Sequence, residues 1–351
     1  MDVDFGAQLD EAHQSELVQL YRELTASYTS GSSSNSRIQW ANLNFPLANH
    51  RRRLAGRIDL LLKDIIQAKF ADQQQARSQP QSKADTKRNR SVLSLSLQQT
   101  DHLDLGILQQ TCDQLKSFLF AGHDTTSVLL QWAFYKLSRT PRVLNAIRRE
   151  LDDIFGSDSS SETVREMLCS GGEDLIRRMN YVSAVIKEIL RLYPPSGTAR
   201  YTNPGSGFNI QLPETGESLC LDGMVIYNCE TLVHRDEAVY GDTKDDFNPE
   251  RWLDSSSDPA PSPPSAWRPF ERGPRNCIGQ ELAMLEARVI LACAVRRYDF
   301  IKVGLGQVVS DGRGQPISND KGQYAVGSEL YNVSRLCLPA FCLISIWSDH
   351  V

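Results

Sequence analysis

The stretch Phe270-Glu271-Arg272-Gly273-Pro274-Arg275-Asn276-Cys277-Ile278-Gly279 sets one cysteine in a loop that opens straight into a helix beginning near Gln280. Glycines at 273 and 279 permit tight turns and a close approach of backbone. The free N–H groups and positive dipole end of the following helix favour a thiolate. A thiolate can attack carbon or hold a metal. Attack needs a histidine base close by, and the nearest histidine in sequence is the distant His234. The eight cysteines are scattered and form no Cys-x-x-Cys pair, which argues against a closed zinc site. One cysteine held by glycines and preceded by an aromatic ring and arginines suits the single axial thiolate of a haem iron. The plain alternative is a structural cysteine buried beside a turn.

Two further groups carry chemistry. Ala121-Gly122-His123-Asp124-Thr125-Thr126 lies in the middle of a helix expected over residues 103–137, about 50 Å long at 1.5 Å per residue. Glycine in a helix interior costs about 1 kcal/mol against alanine. Small residues there would let the helix open for a ligand, and Thr125 can bond back to a carbonyl one turn earlier. The alternative is a glycine that admits a packed helix beside a solvent-facing Asp-Thr pair. Glu188 and Arg191 stand at i and i+3 on a helix over residues 180–192, which Pro194-Pro195 ends, and Phe247-Asn248-Pro249-Glu250-Arg251-Trp252 follows downstream.

The elements that must position these groups are mostly helical. Apolar spacing predicts helices over residues 8–28, 47–70, 103–137, 141–155, 180–192 and 281–298. Arg51, Arg52 and Arg53 read as a solvated face of the second. Residues 30–36 and the Gln, Ser, Lys and Arg run 71–91 read as loops. Short alternating runs over 199–229 predict a small sheet of hairpins, and strand-like pieces recur around 323–331. With 351 residues, 40% of them hydrophobic, the chain can bury a large core. A net charge of −5 and a pI near 5.8 argue against nucleic acid as partner. No apolar run is long enough to span a bilayer, and Met1-Asp2-Val3-Asp4 lacks the parts of a signal peptide, so the chain reads as intracellular with reduced thiols.

The pattern Phe-x-x-Gly-x-Arg-x-Cys-x-Gly resembles the haem-binding loop of the cytochrome P450 superfamily. Ala-Gly-x-Asp-Thr-Thr resembles its oxygen-activation motif, and Glu-x-x-Arg with the later arginine resembles its buried Glu-Arg-Arg cluster. These motifs stand in the family order across roughly residues 100–335. The resemblance implies a mainly α fold with a small β portion, a long central helix, and haem b between that helix and the cysteine loop. Residues 1–100 would be a helical segment with a flexible polar loop near substrate access, and 101–351 the haem-binding core, as one domain overall. It implies Cys277 as the iron ligand, and Arg200 and Arg275 on the haem propionates. Phe270, Gly273 and Gly279 would shape the loop, Ala121, Gly122, Asp124 and Thr125 would serve oxygen activation, and Glu188, Arg191 and Arg251 would be structural. Phe118, Leu119, Phe120, Leu192 and Thr198 would border an apolar pocket.

The implied activity is a monooxygenase that inserts one atom of O2 into an apolar small molecule, such as a polyketide or mycotoxin intermediate of fungal secondary metabolism. Electrons would come from NADPH through a cytochrome P450 reductase, since no Gly-x-Gly-x-x-Gly of a nicotinamide site is evident. Two other readings stand beside it: a degenerate chain that holds no haem, and a haem-thiolate isomerase or dehydratase that needs no reductase. The family's members place a membrane anchor, most of a sheet and a Trp-x-x-x-Arg helix ahead of these motifs. The resemblance therefore implies an N-terminally truncated chain, with endoplasmic-reticulum membrane association belonging to a full-length form. The apolar ending around Cys337 and Cys342 departs from the family's polar hairpin and reads as altered splicing.

Overall fold

A computed structural model describes residues 3–7, 9–29, 45–78, 91–253, 264–328 and 344–347. Its elements are helices with three small two-stranded sheets, a mainly α fold with a small β portion. The chain divides into two compact units, Met1–Ala121 and Gly122–Val351.

The first unit pairs α1 (Glu16–Thr29) with α2 (Phe45–Ser78) and adds the short α3 (Val92–Ser96). Leu17, Ile58, Leu62, Ile66, Leu93, Leu97, Cys112 and Leu115 form its core. Two expectations are corrected here. Helix α2 does not stop at residue 70, because the alanines, glutamines and arginine that follow are adequate helix formers and are tied down by polar bonds. Gln73 donates to the Ser94 carbonyl at 3.0 Å and Arg77 to the Gln98 carbonyl. Of the loop expected over 71–91, residues 79–90 lie outside the described residues. Arg51 is not merely solvated, since its guanidinium lies 4.0 Å over the Tyr28 ring and donates to Ser27.

Helix α4 (Leu105–Arg139) is continuous through its glycine. The second unit then packs α5 (Pro141–Phe155), α6 (Ser161–Arg178), α7 (Asn180–Leu192) and α10 (Gln280–Ala294) around one core, with short α8 (Glu230–Val233) and α9 (Glu237–Tyr240) on the connecting path. The sequence reading assigns nothing to residues 161–178, yet they form α6. Ser160 caps it by accepting the Thr163 N–H, while non-helical Gly171 breaks the periodicity that would reveal it.

Helix α7 is the most buried element, with nine of its thirteen residues inside. Its N-terminus has no cap of its own. Glu150 from α5 supplies one, accepting the Tyr181 N–H at 2.6 Å and the Val182 N–H at 2.9 Å. At its other end Tyr193 stacks on Trp132 of α4 with ring centres 3.8 Å apart. The C-terminus of α4 is closed from far along the chain: the buried Arg139 accepts the Tyr324 N–H on its carbonyl at 2.7 Å and returns Nε to the Tyr324 carbonyl at 3.1 Å.

Strands β1 (Thr198–Tyr201) and β4 (Val225–Asn228) pair antiparallel, as do β2 (Asn209–Gln211) with β3 (Ser218–Cys220), within the stretch expected to form hairpins. Gly197, just ahead of β1, has no room for a side chain, because a Cβ there would stand 2.2 Å from the Tyr227 hydroxyl. Strand β5 (Asp299–Lys302) pairs with β6 (Ile344–Trp347). Isolated bridges join Val308 to Val326 and Ser318 to Tyr324, where strand-like pieces were expected. Residues 329–343, with Cys337 and Cys342, lie outside the described residues.

Candidate haem-thiolate site

The cysteine loop is built by its backbone. Gly273, at φ +77°, opens a 3-10 turn Gly273–Arg275, and the Asn276 N–H returns to the Gly273 carbonyl at 3.1 Å. The Cys277 N–H then donates to the Phe270 carbonyl at 2.8 Å, closing the loop. Gly279 caps α10, its carbonyl accepting the Ala283 N–H at 2.9 Å. A Cβ on Gly279 would stand 3.8 Å from the Cys277 sulfur. The glycine thus leaves the space beside the sulfur clear.

The thiol is exposed, and so are Ile278 (89%) and Leu282 (60%) beside it. The buried structural cysteine is therefore excluded for Cys277. Among the described residues no group of three or more His, Cys, Asp or Glu side chains could hold a metal ion. Arg275 and Arg200 are both exposed, and Arg200 on β1 donates to its neighbour's carbonyl at 2.9 Å. Phe270 is half-buried against the core, edge-on to Trp267 at 6.4 Å.

On α4, Ala121 and Gly122 are exposed, and a Cβ at 122 would meet nothing within 4 Å, so close packing does not demand the glycine. Asp124 and Thr125 are half-buried rather than solvent-facing, and His123 Nδ1 lies 3.6 Å from the Asp124 carboxylate. Of the residues expected to border a pocket, Leu192 is instead fully buried in the core and Thr198 half-buried on β1.

Glu188, Arg191 and Arg251 come together with essentially no exposure. The Glu188 carboxylate accepts Arg191 Nε at 2.9 Å and Nη2 at 2.8 Å, Arg251 Nε at 3.3 Å, the Asn248 N–H at 3.0 Å and Trp252 Nε1 at 3.0 Å. The arginines spend their other donors on the carbonyls of His234, Lys244, Asp246 and Thr243. Every charge is thus paired and hydrogen-bonded, the condition under which a buried cluster is tolerated.

Two residues to which the sequence reading gives no role hold the loop: His234 from this cluster, and Glu271 from β1 and β4. His234 is fully buried. Its Nε2 accepts the Arg268 N–H at 2.9 Å and its Nδ1 lies 3.1 Å from the Arg191 carbonyl, so the ring is neutral with its proton on Nδ1. Burial, reinforced by the nearby arginines, pushes its pKa down to about 4. Glu271 reaches Thr198, Asn228 and Arg268. The signal for His234 is a lone histidine directly after the apolar pair Leu232-Val233; Glu271 has no local signal.

A sequence profile of the cytochrome P450 family matches residues 1–317. The cytochrome P450 monooxygenase acrF of Aspergillus aculeatus is 30% identical over 311 residues, which cover 81% of this chain and 57% of that protein. The cytochrome P450 monooxygenase polC of Polytolypa hystricis is 38% identical over 188 residues, 53% of this chain and 32% of that protein. A bifunctional cytochrome P450/NADPH–P450 reductase of Gibberella moniliformis is 34% identical over 194 residues, 54% of this chain and 15% of its own. The matched part of the chain thus spans 57% of the acrF protein's length, 32% of polC's and 15% of the bifunctional protein's. A profile match over most of the sequence, joined to an exposed single thiol ahead of α10, places the chain in the cytochrome P450 family, whose members are oxygen-incorporating oxidoreductases.

Proposed function

We propose that this chain is the haem-thiolate portion of a monooxygenase that inserts one atom of O2 into an apolar small molecule. The observation that carries the reading is the Cys277 sulfur, exposed at the mouth of α10 beside a glycine that leaves its flank clear. In this reading Cys277 ligates the iron and Arg200 and Arg275 meet the propionates, as planar guanidinium groups suit carboxylates. Phe270 shields the sulfur, while Gly273 and Gly279 keep the loop close. Bound haem would supply oxygen activation, which thiolate ligation by Cys277 would promote. Ala121 and Gly122 leave room on α4, and Asp124 and Thr125 hold and pass protons there. Glu188, Arg191 and Arg251 fix the scaffold beneath.

The electrons are assigned to NADPH through a cytochrome P450 reductase, a pairing supported by the fused arrangement of the Gibberella relative. The fungal relatives favour a secondary metabolite, such as a polyketide or mycotoxin intermediate, as substrate. Among the described residues no helix is long and apolar enough to cross a membrane. Association with the endoplasmic-reticulum membrane belongs to this reading through the family resemblance alone. The test is the reduced carbon monoxide difference spectrum of the purified chain, wild type and Cys277→Ala, followed by turnover with and without reductase. A thiolate-type Soret band in the wild type alone, with reductase-dependent turnover, is expected. A band that survives in Cys277→Ala would refute the ligand assignment, and turnover without reductase would point to an isomerase or dehydratase.

A further inference from the structure

Glu271 is the one non-glycine residue at positive φ among the described residues, at +57°. An ordinary L-residue is disfavoured there by about 1–2 kcal/mol, and no glycine relieves it. Its side chain is only 10% exposed and is fully engaged. Oε1 accepts the Thr198 hydroxyl of β1 and Asn228 Nδ2 of β4, the latter at 2.8 Å. Oε2 accepts Arg268 Nη2 at 2.6 Å and Nε at 3.2 Å, and the Arg272 N–H at 3.3 Å. Burial would raise the carboxyl, but the bonds from Thr198, Arg268 and Asn228 hold it down at about 2. The neighbouring Glu230 is buried, and burial pushes its carboxyl up. Arg268 balances the charge on Glu271.

The residue stands directly after Phe270, whose carbonyl receives the Cys277 N–H. Three residues before it, the Arg268 N–H is held by His234. We propose that Glu271 is a positioning residue for the thiolate: its carboxylate, shared between Thr198 and Asn228 on one side and Arg268 and the Arg272 N–H on the other, fastens the Cys277 loop to β1 and β4, and His234 holds the same segment from the α7 side. The inference rests on the haem-thiolate reading for its purpose, but the hold itself does not depend on it.

The experiment compares wild type, Glu271→Gln, Glu271→Gly and Asn228→Ala in the full chain as purified with its haem. Amide hydrogen exchange is read across 268–279, and the CO difference spectrum is read for the share of thiolate-type band. Glycine removes the backbone strain together with the hold, whereas glutamine keeps an acceptor for Thr198 and Asn228. In Glu271→Gly the Cys277 amide should exchange about tenfold faster or more, the order expected for losing charge-assisted bonds, and part of the band should shift to the thiol type. Glu271→Gln, which keeps one oxygen for Thr198 and Asn228 but loses the ion pair with Arg268, should fall between wild type and Glu271→Gly, and Asn228→Ala, which leaves the loop sequence intact, should move the same way by less than Glu271→Gly. Wild-type exchange and spectrum in both Glu271→Gly and Asn228→Ala would overturn the proposal. If Glu271→Gly does not fold, Asn228→Ala decides alone. A wild type without a thiolate band would refute the haem reading and leave the exchange comparison to judge the hold.

Discussion

At the end of α7 three ionised side chains sit out of reach of water, and the single carboxylate among them receives five donors. In the Cys277 loop the reactive atom is left in the open, flanked by exposed apolar side chains, and the cysteine itself is held through its backbone N–H. Both lie in the same compact unit. The difference separates two tasks. The α7 cluster serves rigidity, because removing any member strands a buried charge. The loop serves presentation, because its sulfur must meet something that is not protein. His234 is the joint between them, bonded to Arg191 at one end and Arg268 at the other, while Glu271 joins the loop to β1 and β4.

The largest test of this contrast is Glu188→Ala, which leaves two arginines without their carboxylate. It should lose about 3–5 kcal/mol of stability and fail to accumulate folded protein. A denaturant midpoint near that of the wild type would mean the cluster is not the rigid half. Acid should come next. His234 is neutral when folded, with a pKa near 4 against 6.5 for an ordinary histidine. Between those values the unfolded chain binds more protons, so its contribution is complete above about pH 6.5 and is lost as pH falls toward 4, roughly 3 kcal/mol over the window. His234→Gln should flatten that part of the stability–pH curve, and an unchanged slope would locate the acid sensitivity elsewhere.

Glu150→Ala removes the borrowed cap of α7 and should cost about 1–2 kcal/mol, measured by thermal unfolding. Thr125→Ala should change stability by less than about 1 kcal/mol. In the reconstituted system it should divert NADPH from product to hydrogen peroxide, and unchanged coupling would remove Thr125 from the proton path. Smallest of all should be the effect of Cys277→Ala on the haem-free chain, within about 0.5 kcal/mol for an exposed residue, even as the thiolate spectrum disappears. A large loss there would make the loop part of the scaffold and erase the contrast.

The sequence discloses these regions unequally. The cysteine loop is legible because its demands are local: glycines where the backbone turns tightly, a cysteine directly ahead of a helix. Helix α7 is legible by its apolar periodicity, and Glu188 with Arg191 by their shared face. Arg251 could be joined to them only through the family resemblance, since nothing nearby in sequence announces a partner across the fold. His234 and Glu271 stayed hidden for the same reason, their partners being strands and helices far along the chain. The cap that Glu150 lends to α7 is likewise invisible, because it belongs to one helix and serves another. Helix α6 was lost to a glycine that breaks its period.

The reciprocal bond between Arg139 and Tyr324 spans 185 residues. On a ribosome adding roughly 5–20 residues per second, the last carbonyl of α4 would wait about 10–40 s after synthesis for the strand piece that closes it. Throughout that interval the end of the longest helix lacks the cover that the Tyr324 segment gives it, and its apolar surface stays open to other nascent chains. Expression slowed by low temperature lengthens the wait, whereas release of the completed chain ends it. Yield of this protein should therefore respond to chaperones that bind nascent chains more than to any additive supplied after lysis.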